Sequence, residues 1–221
     1  MVDCRETVLG YKVLSMKTAM VLGATGLVGR TLVNILLQDR RYSEVTCLVR
    51  KPLQSNQFAD PYNRLKPVVI DFDNLQDYQG YFGVDHVYCC LGTTLKQAGS
   101  KSAFRRVDFE YVHIAAQLTR AQRTGSFVWI SSVGADAKSS NFYLRVKGEL
   151  ENAIMRMSQL PHAAAVRPSL LLGTRSESRT LEDVAQKTAP VWKMLMQGPL
   201  KKYRPVHAVD VARNMMTRQK W

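Results

Sequence analysis

One α/β domain, with a doubly wound parallel sheet and helices on both faces, is predicted by three observations. Short apolar runs alternate with segments of helical periodicity from residue 16 onward. The first of these runs ends in a glycine-rich turn that opens directly into a helix, residues 20–30, MVLGATGLVGR. A chain of 221 residues also buries a substantial core without metal or disulfide staples.

Residues 1–15 carry no clear period. They read as an N-terminal extension, a leader from an early start codon or an added edge element, with the domain itself over 16–221. The first strand is expected over 18–22 and the first helix over 27–38, joined by glycines spaced three apart, Gly23, Gly26 and Gly29. In such a turn the first glycine permits the tight bend and the second lets backbone approach a pyrophosphate. The third allows close helix–strand packing. The helix N-terminus adds unpaired N–H groups and a positive dipole end. Thr25, Leu27 and Val28 of the same turn are also expected to contact the cofactor.

The second strand, over 44–49, runs into Arg50 and Lys51. An acidic residue at this place would suit a ribose 2′-hydroxyl, whereas a guanidinium and an ammonium suit a 2′-phosphate. NADP(H) is therefore expected over NAD(H). The third strand, over 66–70, ends at Asp71, which either takes an adenine amino group or caps the next helix. The fourth, over 86–91, leads into Leu91, Gly92 and Thr93, where a glycine at the carboxyl edge admits a ligand.

A helix is expected over 102–124, a fifth strand over 126–131 and a helix over 142–158. The fifth strand is tipped by Ser131 and Ser132, and the helix after it carries Tyr143 and Lys147 at i and i+4 on one face. A phenol is a poor acid at neutral pH, and a neighbouring ammonium favours its ionised form. Either serine would hydrogen-bond a substrate oxygen. The sixth strand, over 163–167, precedes Pro168 and Leu170, and helices follow over 181–197 and 208–218. The substrate pocket is expected from segments within about 168–210, with His207 as a candidate substrate contact and Asp210 as a first-turn acid.

The formal net charge of +13 suits an anionic ligand or a solvated basic surface. The basic residues are scattered without interleaved aromatics, so specific nucleic-acid recognition is not expected. Cys4, Cys47, Cys89 and Cys90 show neither metal spacing nor a C-x-x-C motif and read as reduced thiols. No apolar run is long enough to cross a bilayer, and the N-terminus lacks the apolar core of a secretory signal, which pointed to a cytoplasmic location.

The segments GATGLVGR, LVRKP, CCLGTTLKQAGSK, ISSVGADAKSSNFYLRVKGELE and RPSLLLGTRSESR resemble the short-chain dehydrogenase/reductase superfamily, in its atypical branch, over roughly residues 16–218. That resemblance implies a Rossmann-type fold binding NADP(H), with Tyr143 as acid/base, Lys147 on the nicotinamide ribose and Ser132 or Ser131 orienting substrate. It also implies cofactor contacts from Arg50, Lys51, Asp71, Leu91, Gly92 and Thr93, and from the loop at Pro168 and Leu170. One departure stands out: many members place an asparagine where this chain has Asp108, which puts the usual proton relay in doubt.

The function expected is reduction of a small carbonyl substrate by hydride transfer from NADP(H), with Tyr143 as proton donor. Two rivals remain open at this point: a cofactor-sensing regulator without turnover, and an epimerase or dehydratase acting on a nucleotide sugar.

Overall fold

A computed structural model describes residues 16–54, 56–160, 162–169, 171–172 and 206–221. Residues 1–15, Leu170 and the helix expected over 181–197 lie outside the described residues, as does most of the segment expected to form the substrate pocket.

Six strands form one sheet: β1 (Lys17–Leu22), β2 (Tyr42–Val49), β3 (Leu65–Val69), β4 (His86–Cys89), β5 (Ser126–Ile130) and β6 (Ala163–Val166). Every pairing is parallel and the order is β3-β2-β1-β4-β5-β6. The order reverses between β1 and β4, so the crevice at their carboxyl ends is the switch point where open α/β sheets take ligands.

The period of two along each strand divides the core into two layers. On one face, Ala19, Val21, Val45 and Val128 meet Leu32, Val33 and Leu36 of α1 (Leu27–Gln38), together with Val211 and Met215 of the C-terminal helix. On the other, Met20, Leu22, Val87 and Trp129 meet Val112 and Ala115 of one helix and Leu150 and Ile154 of another. Both faces of the central strands are covered, which explains why they read as continuous apolar runs rather than alternating ones.

The helix expected over 102–124 is interrupted. Thr94 caps a short helix, α2 (Leu95–Ala98), by accepting from Gln97 N, and Ser100 caps α3 (Lys101–Arg105) by accepting from Ala103 N. The chain then takes a π-helical turn, Arg106–Glu110, before α4 (Tyr111–Ala121). Sequence period alone does not distinguish a π turn from a regular one, because it shifts the following residues by only one position.

α5 (Phe142–Met155) is capped by Asn141, whose side chain accepts from Leu144 N. A two-stranded parallel ladder joins β7 (Leu171–Leu172) to β8 (Val206–His207), and β8 runs straight into α6 (Ala208–Thr217). The ladder lies outside the sequence expectations, and the short helix expected after Asp71 is a kinked 3₁₀ segment, Phe72–Phe82.

Candidate functional site

The three glycines of the first turn have different structural reasons. Gly23 has φ +81°, and a Cβ there would sit 2.6 Å from the Cys90 carbonyl oxygen. A Cβ on Gly29 would lie 2.1 Å from the Gly23 carbonyl oxygen, so its absence lets α1 press onto the end of β1. Packing explains both positions. Gly26 differs: it is exposed, has ordinary extended φ and ψ, and a Cβ there would meet only the Gly23 carbonyl oxygen at 3.4 Å.

Gly26 is also the N-cap of α1, with no side-chain cap and no acidic residue in the first turn. The first N–H groups of a 12-residue helix thus face the crevice beside a backbone stripped of its side chain. That is the shape and charge a pyrophosphate needs, and these residues fit the phosphates of a dinucleotide. Thr25 is exposed and Leu27 half-buried at the same turn, while Val28 points into the core.

At the end of β2, Arg50 and Lys51 are both exposed. Arg30, one residue beyond the third glycine, reaches the same corner from α1, where with Pro52, Gln54, Asn56 and Gln57 it lines a cleft of about 440 Å³. Among the described residues no carboxylate pairs with Arg30, Arg50 or Lys51. The sequence reading missed Arg30, although it closes the glycine motif itself.

Asp71 acts as a cap. Its Oδ1 accepts from Asp73 N at 3.0 Å and its Oδ2 from Asn74 Nδ2 at 2.9 Å. Each oxygen keeps a further lone pair, so the cap leaves room for a ligand donor.

At the end of β4 the exposed Gly92 covers a buried ion pair. Lys147 Nζ lies 2.8 Å from Asp108 Oδ1, with the two side chains 3% and 1% exposed. The other carboxylate oxygen, Asp108 Oδ2, accepts from Thr93 N at 2.8 Å. Burial raises the Asp108 carboxyl above the usual range, and the Lys147 ammonium and Thr93 N–H oppose that rise. Asp108, where the resemblance would place an asparagine, binds the lysine directly.

The serine-bearing loop is pinned between β6 and α5. Ser131 N donates to the Val166 carbonyl at 2.7 Å and Val133 N to the Pro168 carbonyl at 3.0 Å. Gly148 makes the approach to α5 possible, since a Cβ there would fall 2.2 Å from Ala137 N. The two serines differ. Ser131 is buried and its hydroxyl has no hydrogen-bond partner, whereas Ser132 is half-buried and its hydroxyl donates to the Val133 carbonyl at 3.3 Å.

Tyr143 is half-buried one turn before Lys147, its ring 5.7 Å from that of Phe104. The glycine turn, the Gly92 loop, the serine loop and the N-terminal half of α5 therefore meet along the carboxyl edge of the sheet. His207 is exposed at the N-cap of α6 and its side chain makes no cap bond.

A family model described as NAD(P)H-binding matches residues 23–192. Protein HTATIP2 of Rattus norvegicus is 39% identical over 172 residues, covering 77% of this chain and 69% of that protein. Protein FMP52-1, mitochondrial, of Scheffersomyces stipitis is 33% identical over 170 residues, 74% of this chain and 71% of that one. Among solved structures, MoeE5 in complex with UDP-glucose and NAD superimposes with a TM-score of 0.67 at 15% identity, over 92% of this chain and 72% of that chain. The expected cytoplasmic location is corrected by the fungal relative, which is named mitochondrial. The physical reason is that lacking an apolar secretory core does not separate cytosol from mitochondrion, because mitochondrial transit peptides are amphipathic. Among the described residues no helix is long and apolar enough to cross a membrane.

Proposed function

The chain belongs to the NAD(P)H-binding family, in its atypical short-chain dehydrogenase/reductase branch, and we propose that it is an NADP(H)-dependent reductase of a small carbonyl compound. The observation that carries the cofactor half of this reading is the open face at Gly26, where no neighbouring side chain fills the space a Cβ would take. Gly23, Thr25, Gly26, Leu27 and Gly29 would hold the pyrophosphate, with Val28 anchoring the helix behind them. Arg50 and Lys51, joined by Arg30, would hold a 2′-phosphate. Leu91, Gly92, Thr93, Pro168 and Leu170 would line the nicotinamide side.

When bound, the reduced cofactor supplies hydride to the substrate carbonyl carbon. The chain's own task is to manage the oxygen. Tyr143 would donate its phenolic proton to that oxygen as negative charge develops there. Ser132, which is more accessible than Ser131, would orient the same oxygen by a hydrogen bond. Lys147 would steady the ribose with donors that Asp108 does not occupy, since an ammonium has three.

Calorimetric titration of wild type and Arg50→Ala with NADPH and NADH tests the cofactor assignment. NADPH should bind more tightly to wild type, and the variant should lose most of that preference. Equal affinities in wild type, or an undiminished preference in Arg50→Ala, would remove the 2′-phosphate assignment. NADPH oxidation against a panel of aldehydes, ketones and quinones then tests turnover. Binding without reduction of any of them would favour the sensor reading.

A further inference from the structure

We propose that Asp108 is a positioning residue that holds Lys147 as half of a neutral buried pair, and thereby sets the balance between oxidised and reduced cofactor at the site. The inference rests on the reading that the crevice binds a nicotinamide dinucleotide.

Three observations carry it. The first is geometric: one carboxylate grips both the Lys147 ammonium and the Thr93 N–H, each at 2.8 Å, in a place almost closed to water. An asparagine could accept from Thr93, but it could not cancel the lysine charge. The residue type therefore matters beyond its hydrogen bonds.

The second is location. A Cβ on Gly92 would lie 3.5 Å from Asp108 Oδ1 and 4.0 Å from Lys147 Nζ, so the pair lies directly against the exposed Gly92 at the crevice. The loop belongs to the β4–β6 side of the switch point. In a sheet made of two mononucleotide-binding halves, the glycine turn after β1 takes one half of the dinucleotide and this side takes the other.

The third is local charge. Neighbouring ionic groups have partners of their own: Arg105 with Glu149, Arg106 with Asp73, and Arg167 with Glu151. The Cys89 thiol at the end of β4 is pushed up to about 12 by burial and stays neutral at physiological pH. Among the described residues, the charge behind Gly92 is thus decided by Asp108 and Lys147. The π turn that carries Asp108 aims it inward, and such turns recur at functional sites.

The consequence follows from Coulomb's law. An oxidised nicotinamide ring carries a positive charge that the reduced ring lacks. An unbalanced ammonium behind Gly92 would penalise the oxidised form selectively, and Asp108 cancels that penalty. The bound couple is thereby kept more reducing than a lone lysine would leave it.

The test is the ratio of dissociation constants for NADP⁺ and NADPH, measured by calorimetry on the folded protein. Asp108→Asn should raise that ratio about tenfold, the order expected for one unit charge at low effective dielectric. That change corresponds to a rise of about 30 mV in the bound two-electron couple. Asp108→Asn with Lys147→Met, which removes both charges, should return the ratio to within about twofold of wild type. Should Asp108→Asn fail to fold, Asp108→Ser leaves space for water around the ammonium and carries the same comparison. A folded Asn or Ser variant with an unchanged ratio overturns the proposal, as does a shift that survives in the double variant. A purely structural role would weaken both cofactor forms equally. If wild type prefers NADH, the same ratio is read with NAD⁺ and NADH; if it binds neither pair, the cofactor reading itself fails.

Discussion

Tyr143 and Lys147 sit one turn apart on α5, yet their surroundings differ sharply. The tyrosine is half-buried beside Phe104, while the lysine is enclosed against Asp108. If Tyr143 is the donor, Tyr143→Phe keeps the ring and its packing and should lose on the order of a hundredfold or more in turnover, the range of general acid–base catalysis. Cofactor affinity, measured separately, should change little. Full activity in the variant would reduce the tyrosine to a packing residue. The serines differ in burial too: the orphaned hydroxyl of Ser131 is walled in, while Ser132 is half-buried.

At the scale of elements, the first turn separates packing from binding within a single motif. Gly29→Ala drives a methyl group into the Gly23 carbonyl, 2.1 Å from an oxygen that cannot move without shifting β1 or α1. Overpacking of this kind costs about 3 kcal/mol, which in a domain of this size lowers the melting temperature by roughly 6–12 °C. Gly26→Val meets only one oxygen at 3.4 Å and adopts φ and ψ that any residue tolerates, so the fold should survive. Its side chain would instead occupy the pyrophosphate path, and NADPH binding should collapse. Circular dichroism melts beside cofactor titrations distinguish the two outcomes. A folded Gly26→Val with undiminished affinity would take the dinucleotide away from this turn.

Across the whole molecule, the end of the sheet opposite the crevice is closed by a polar network under the last residues. His86 Nε2 donates to the Lys220 carbonyl at 2.9 Å, which leaves Nδ1 to accept from the Tyr42 hydroxyl at 2.7 Å. Tyr42 in turn meets the Tyr88 hydroxyl at 2.8 Å, and Gln219 is bonded to Ser126. The Trp221 ring lies 5.1 Å from His86, under the Arg41 guanidinium. Burial depresses the His86 pKa below its usual value. The unfolded chain therefore binds a proton more readily than the folded one. Stability from this site is complete above about pH 6.5 and is lost as pH falls from there toward the folded value. Denaturant titrations should show the midpoint falling between about pH 7 and pH 5 in wild type, with a shallower fall in His86→Gln. His113, also depressed by burial, contributes with the same sign, so His113→Gln is the control. An unchanged slope in His86→Gln would mean that the network does not carry the proton linkage.

Local chemistry made much of this legible from the chain alone. Parallel strands buried on both faces must read as apolar runs, glycines must stand where backbone crowds backbone, and a tyrosine and lysine four apart must share a helical face. The strand positions, the first helix within its exact bounds of Leu27–Gln38 and the glycine turn follow from such rules. Contacts between distant segments follow from none of them. Asp108 meets Lys147 only because a π turn and α5 converge behind Gly92, and Arg30 shares a cleft with the loop after β2 only because the fold brings α1 beside it. Ser131 and Ser132 are chemically identical in sequence, and burial alone separates them. Residue type and local period determine which groups stand at the ends of strands. Which of those groups face each other, and which are cut off from water, is decided when the sheet twists and the helices close over it.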